Sequence, residues 1–347
     1  MRQIHVNGKW LSQKLTGTQR YAANMVEAIA ASDCVDLVLH LPAGAEAPDW
    51  AHGYRIRVRR APVRGIAFEQ VYLPAVTAGG MLLNFAGPAP LLKRRQLVTM
   101  HDATPFRYPQ TFRPTFVAFY YGMYFLLSRT ARQLVTVSEF SARELADVLR
   151  VPAERFIVAG CAADSLTGVE PARPELDVAA GGHYLVVGTQ AVHKNLVAPI
   201  TAVAATGRDV VVVGLAGDQQ VFSSAGSLAG HAVVPGRLTD AELVWLYQNS
   251  RALIFPSKYE GFGLPPLEAQ AMGCPVVCSD AASLPEVCGE GALYFDPDEP
   301  ATLLAQLDRL EADADLAAQL RHRGAVNAKR FSWAASADKI VDWLRNA

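Results

Sequence analysis

Short apolar runs alternate with amphipathic stretches along the whole chain. In the first half, "RQIHVNG", "DLVLHLP", "GMLLNF", "RQLVTMHD", "RQLVTVSEFS" and "RFIVAGCAAD" read as strands, and "YRIRVRRAP" alternates as an edge strand would. Between them, "TQRYAANMVEAIAA" places Tyr21, Met25, Val26 and Ile29 on one helical face. "SARELADVLRV" reads as a helix, with Ser141 as N-cap and Glu144 closing a capping box. Residues 165–182 are rich in Pro, Gly and Ala and lack periodicity, which reads as a linker. A second series comes after it, with "HYLVVG", "DVVVVG", "ALIFPS", "PVVCS" and "GALYFDP" as strands among helices. Continuous apolar strands separated by helices imply parallel sheets covered on both faces. The expected fold class is α/β, with two doubly wound Rossmann-like domains facing across a cleft and ligands at the carboxyl ends of the strands.

Composition narrows the function. A chain of 347 residues exceeds one typical core and suits two domains. With 51% hydrophobic residues, 19% charged residues and a net charge of -1, a broad nucleic-acid surface is not expected. The opening "MRQIHVNGKW" has no apolar run of signal-peptide type, and no run is long enough to span a membrane. The five cysteines are odd in number and loosely spaced, as expected of small buried residues rather than a disulfide framework or zinc site.

The most informative stretch is "FPSKYEGFGLPPLEAQAMGCPVVCSDAASLPE", residues 255–286. "ALIFP" reads as a strand, and Pro265 and Pro266 open a helix where a missing N–H costs least. The amides of "GFGLP" suit an anion such as phosphate, and Gly261 and Gly263 allow close backbone approach. Glu260 precedes this loop and Glu268 comes after it. Acid, phosphate loop and acid match a nucleotide-sugar in that order. The same residues also fit a plain strand–helix loop in which Glu268 favours the helix dipole. "GFG" lacks the third glycine of a dinucleotide fingerprint and does not follow the first strand, which disfavours a dehydrogenase.

The stretch resembles the signature of the retaining glycosyltransferases of family 4, which have the GT-B fold. The flanking "VPGRLTDAELVWLYQNSRALIFPS" and "VVCSDAASLPEVCGEGALYFDP" resemble that family too. The resemblance implies an N-terminal acceptor-binding domain over 1–170 and a donor-binding domain over 171–325. It also implies a terminal helix over 326–347 that crosses back to the first domain, anchored by Trp333, Ile340 and Trp343. Glu260 would meet the donor sugar, and Glu268 the ribose. The backbone of Gly261, Phe262, Gly263 and Leu264 would meet sugar and diphosphate. In "GTQAVHKNL", Lys194 matches the family's phosphate-binding lysine, while Thr189 and His193 stand where arginine is common. "MHDATPFRYP" resembles the segment carrying the family histidine, which assigns His101, beside Asp102, a catalytic role. "NGKWLSQKLTGTQRY" resembles the first glycine loop, with Gly17 and Thr18 as contacts and Arg20 as support. Ser138 and Glu139 would stand behind the site.

The implied reaction is metal-independent transfer of a hexose to a hydroxyl, with attack on the same face as the departing diphosphate. No cofactor is implied beyond the donor as co-substrate. The likeness favours GDP-mannose, with UDP-hexoses or GDP-deoxyhexoses as alternatives. Side chains near "VVVGLAG" and "VPGRLTD" are expected to choose base and sugar. The expected acceptor is a polyprenyl-diphosphate-linked saccharide of surface polysaccharide or O-antigen. "RIRVRR" and "KRR", with aromatics from Phe106 to Phe125, suit a cytoplasmic protein on an anionic inner membrane face; "TFVAFYYGMYFLL" equally suits a buried helix. The pattern carries no oligomeric state. The competing class is a non-catalytic nucleotide-sugar-binding protein. A nucleotide-sugar 2-epimerase fits the histidine and acid pattern poorly.

Overall fold

A computed structural model of the protein describes residues 3–14, 16–214, 232–235 and 238–346. The chain divides into two compact units. The first contains Met1–Ala103, Ala118–Cys161 and Ser332–Ala347; the second contains Thr104–Val117 and Ala162–Phe331.

In the first unit, β1 (Gln3–Asn7), β2 (Asp36–Leu41), β3 (Ile56–Arg60), β4 (Met81–Asn84), β5 (Gln96–Thr99), β6 (Gln133–Thr136) and β7 (Phe156–Val158) form a parallel sheet. Its order is β3-β2-β1-β4-β5-β6-β7 among the described residues. β3 is thus an edge, and its Arg57, Arg59 and Arg60 are exposed. Charged edge strands resist pairing with other chains. Helix α1 (Gly17–Ala31) buries Tyr21, Ala22, Met25, Val26 and Ile29, the face its periodicity predicts. Helix α2 (Pro114–Thr130) is split. Met123, Tyr124, Leu127 and Ser128 are buried, whereas Phe119, Tyr121, Phe125 and Leu126 are exposed.

Helix α3 (Glu139–Leu149) starts earlier than its sequence suggests. Ser138, not Ser141, is the N-cap, and its side chain accepts a hydrogen bond from the Ser141 amide at 2.9 Å. Ser138 still has the extended backbone of the departing strand, while Ser141 is buried inside the first turn.

The sheet also buries histidines. His5 Nδ1 lies 3.0 Å from His40 Nε2. Burial, then the charges of His5 and Arg59, lowers His40 to about 4. An unfolded histidine takes up its proton near pH 6.5, whereas folded His40 refuses it until about pH 4. His40 therefore supports the fold fully above pH 6.5, and that support is lost as pH falls toward 4. The expected cost is about 2 kcal/mol between pH 7 and pH 5. Urea unfolding should show His40→Gln flattening that pH dependence; an unchanged slope would contradict this assignment.

In the second unit, β8 (His183–Val187), β9 (Asp209–Val213), β10 (Leu253–Phe255), β11 (Val276–Ser279) and β12 (Ala292–Phe295) are parallel, in the order β12-β11-β10-β8-β9. Helices α4 (Val197–Ala204), α5 (Asp240–Asn249), α6 (Leu264–Ala271), α7 (Pro300–Ala312) and α8 (Ala314–Ala328) accompany it. Val, Ile and Leu of these strands are buried on both faces, in two clusters. The 165–182 stretch is not a free tether. Leu166 and Val178 are buried with Val211, Leu246 and Tyr247, because apolar residues recur within its proline-rich composition. All five cysteines are free thiols, and Cys161, Cys274, Cys278 and Cys288 are buried. Burial pushes the Cys274 thiol up to about 12, which suits an inert core residue.

Helix α9 (Trp333–Asn346) belongs to the first unit and packs on α1. It buries Trp333, Ala337, Ile340, Val341 and Leu344, while Trp343 is half-buried. Ser336 Oγ donates to Gly160 O at 2.8 Å, and Lys339 Nζ donates to Val158 O at 2.7 Å. Among the described residues, no helix is long and apolar enough to cross a membrane.

Candidate active site

The second unit gathers the informative stretch at the carboxyl ends of β8 and β10. After β10 the chain turns through residues 256–263 into α6. Gly263, the residue before the helix, has φ 97° and ψ 54°, a left-handed conformation. A Cβ there would sit 2.6 Å from Leu284 Cδ2. Ser283 Oγ pins the loop from behind, donating to Glu260 O at 2.9 Å or Phe262 O at 2.8 Å. Both demands fall on one residue, so Gly263→Ala is expected to cost about 2 kcal/mol of stability. Denaturant midpoints check this, and a variant as stable as the parent would contradict it.

The prolines sharpen the anion reading. Pro265 and Pro266 hold the second and third helical positions of α6 and have no N–H. An anion at this end must therefore be met by amides of residues 261–264. Among the described residues, the amides of Phe262, Gly263 and Leu264 donate no hydrogen bond within the protein. Backbone donors converging at a helix start are suited to a phosphate.

Lys194 lies in the short turn Val192–Lys194 after β8. Its Nζ donates to Glu260 Oε1 at 2.6 Å, with side chains only 21% and 11% exposed. The same Nζ lies 5.8 Å from the centre of the Phe255 ring. Asn195, left-handed at φ 51°, fixes the turn by donating from Nδ2 to Pro297 O at 2.8 Å and Pro256 O at 3.2 Å. Glu268 is buried in α6, and its Oε2 accepts a 2.9 Å hydrogen bond from Tyr247 OH. The structure thus joins Lys194 to Glu260 directly and sets Glu268 beyond the glycine turn.

His193 goes elsewhere. It is buried, with Nδ1 3.4 Å from Thr111 Oγ1 and its ring beside Tyr108 and Phe112. Its carbonyl accepts the Lys258 amide at 2.8 Å, tying the two loops together. Thr189 lies at the exit of β8, half-buried.

His101, Gly17 and Thr18 are in the first unit. Gly17 and Thr18 form the first turn of α1 rather than a loop, because Thr16 already has the extended backbone of an N-cap. His101 comes after β5, with its ring against Tyr21 at 4.9 Å between centroids. Its Nε2 donates to Phe85 O at 2.9 Å, since a carbonyl can only accept. Burial holds the imidazole below its usual range, against the opposing pull of the Phe85 carbonyl and Asp102. The ring is therefore neutral near pH 7, with Nδ1 as its acceptor.

Sequence reading missed Tyr247, Ser283 and Asn195. Tyr247 appears only as an apolar helical position, and Ser283 as an ordinary loop serine; neither carries a spacing signal. Of the stretches expected to choose base and sugar, residues 215–217 and 236–237 lie outside the described residues.

Comparison with known proteins decides the family. Residues 182–331, which include the Lys194–Glu260 pair and Glu268, match the family described as "Glycosyl transferases group 1". The chain is 30% identical over 255 residues to O-antigen chain mannosyltransferase B of Escherichia coli, covering 69% of this chain and 67% of that protein. It belongs to the group 1 glycosyltransferases. The whole chain superposes on sucrose-phosphate synthase from Thermosynechococcus elongatus with a TM-score of 0.75 at 18% identity, covering 100% and 99% of the two chains. It also superposes on Anabaena HepE, solved in complex with UDP-glucose, with a TM-score of 0.72 at 16% identity and full coverage of both chains. Its two Rossmann-like units match the GT-B fold. This group 1 glycosyltransferase is an enzyme of the retaining type that acts on a nucleotide sugar.

Proposed function

We propose that this glycosyltransferase moves mannose from GDP-mannose to a hydroxyl of a polyprenyl-diphosphate-linked saccharide in surface polysaccharide or O-antigen synthesis. The observation that carries the donor half is the partly buried Lys194–Glu260 pair beside the amides of residues 262–264. A diphosphate competes with Glu260 for the Lys194 ammonium. Once the lysine turns to the phosphates, the Glu260 carboxylate is released toward the sugar hydroxyls. Glu268, already oriented by Tyr247, accepts from the ribose hydroxyls. As the glycosyl bond breaks, negative charge grows on the leaving diphosphate, where Lys194 and the loop amides stabilise it. The leaving phosphate takes the proton of the incoming hydroxyl, on the face it departs from. The neutral His101 keeps a hydrogen-bond acceptor at Nδ1, and the family resemblance assigns it the catalytic role.

Mannose is favoured by the likeness to O-antigen chain mannosyltransferase B. A UDP-hexose donor is the second reading, favoured by the likeness to HepE in complex with UDP-glucose. The exposed Phe119, Tyr121, Phe125 and Leu126, with the arginines of β3, would rest the protein on the anionic inner face of the membrane that holds the acceptor. The test is a donor panel, with nucleoside diphosphate release and product mass measured on vesicles containing a lipid-diphosphate saccharide. GDP-mannose should give the largest kcat/KM, and anionic vesicles should retain the protein. Preference for a UDP-hexose would sink the mannose reading, and turnover from no donor would sink the donor-site assignment.

A further inference from the structure

In the first unit the strand order reverses between β1 and β4. Doubly wound sheets take ligands outside the carboxyl ends of their strands at such a reversal. Here Asn7, ending β1, donates from Nδ2 to Oδ1 of Asn84, ending β4, at 3.0 Å. Asn7 Oδ1 also accepts the Lys9 amide at 3.1 Å, fixing the turn that leaves the sheet. The Lys9 ammonium pairs with Glu69 Oε2.

Glu69 has no evident structural reason to be charged. It is 2% exposed and sits on a π-helical turn, Phe68–Tyr72. Such turns are rare and concentrate at functional sites. Its second oxygen, Oε1, is buried with no hydrogen-bond partner, as is Nε1 of Trp10, the residue after Lys9. Burial raises the Glu69 carboxyl, with Lys9 opposing. Burial and the Glu69 charge push the Tyr120 phenol up to about 12. The Tyr120 and Tyr124 rings lie 5.6 Å apart, tilted at 59°, and burial, Tyr120 and Asp102 raise the Tyr124 phenol in turn. A partly satisfied buried ion pair is poor for stability, and an apolar pair would serve the fold as well.

We propose that Lys9 binds hydroxyls of the acceptor saccharide and that Glu69 is the positioning residue that aims it. The inference rests on the glycosyl-transfer reading above and assigns the acceptor side of it. Lys9 keeps 17% of its side chain exposed and spends one of three N–H donors on Glu69. The remaining donors suit sugar hydroxyl oxygens at the switch point.

The test uses the full chain, GDP-mannose, and a mannose-ended trisaccharide on a short polyprenyl diphosphate, with the same trisaccharide free of lipid as a second arm. Lys9→Met should raise the acceptor KM about 10-fold, as for loss of one charged hydrogen bond, while Kd for GDP stays within about twofold. Lys9→Arg should recover much of the loss, and Glu69→Gln should raise acceptor KM by a smaller factor. The change should be the same with and without the lipid, because Lys9 reads the sugar. A normal acceptor KM in Lys9→Met, or an equal loss of GDP affinity, would overturn the assignment while leaving the transferase reading intact. If Lys9→Met does not fold, the near-isosteric Glu69→Gln decides, and an unchanged acceptor KM there overturns it. A parent enzyme that binds GDP yet transfers to neither saccharide would overturn both readings together.

Discussion

Lys194→Ala is expected to lower kcat/KM for the nucleotide sugar by about 10²–10³-fold, equivalent to roughly 3–4 kcal/mol. Lys194 is a cation whose Nζ lies 2.6 Å from Glu260, beside loop amides that donate to no other described residue. Two prolines remove other donors from the helix start, so the loop amides cannot replace the lost charge. Removing Lys194 also leaves Glu260 partly buried without its cation, which costs stability in its own right. Glu260→Gln separates the two effects. It frees the lysine from its competitor, so Kd for GDP should stay equal or tighten while turnover falls. Isothermal titration and steady-state rates together measure this. If Glu260→Gln weakens GDP binding as much as Lys194→Ala does, the proposed exchange of partners at Lys194 is wrong.

Glu268→Ala should raise Kd for GDP about 100-fold and change kcat at saturating donor little. Two hydrogen bonds from ribose hydroxyls to a buried carboxylate are worth roughly 1.5 kcal/mol each or more. These contacts are the same in ground and transition state, so their loss appears in binding rather than in turnover. Tyr247→Phe is the graded control. It removes the 2.9 Å bond that orients Glu268 and should weaken GDP by a smaller factor in the same direction. A Glu268→Ala enzyme with normal Kd but low kcat would move this residue from nucleotide binding to the chemical step.

Much of the fold is legible in the sequence because strand and helix periods are local. The burial of β8, β9 and β11 on both faces can be read directly from runs such as "DVVVVG". Glu260, Gly263 and Glu268 are legible because loop glycines and helix-start prolines restrict the backbone on either side of them. The hidden part depends on tertiary partners. Nothing local distinguishes His193, packed among Tyr108 and Phe112, from Lys194, which turns to Glu260. Segment 104–117 reads as a continuation of the first domain, yet it belongs to the second unit through residues such as Thr111. Ser138 displaces Ser141 as the cap of α3 because the strand ends at Thr136, earlier than the run of sequence suggests, and Ser138 already has the extended backbone of a cap.

The most direct test of the donor grip is a crystal structure with GDP-mannose or a non-transferable analogue bound. The account predicts diphosphate oxygens on the amides of residues 262–264 with Lys194 turned from Glu260 onto a phosphate, Glu260 on the sugar and Glu268 on the ribose. A diphosphate bound away from that loop, with the Lys194–Glu260 pair still closed, would contradict it.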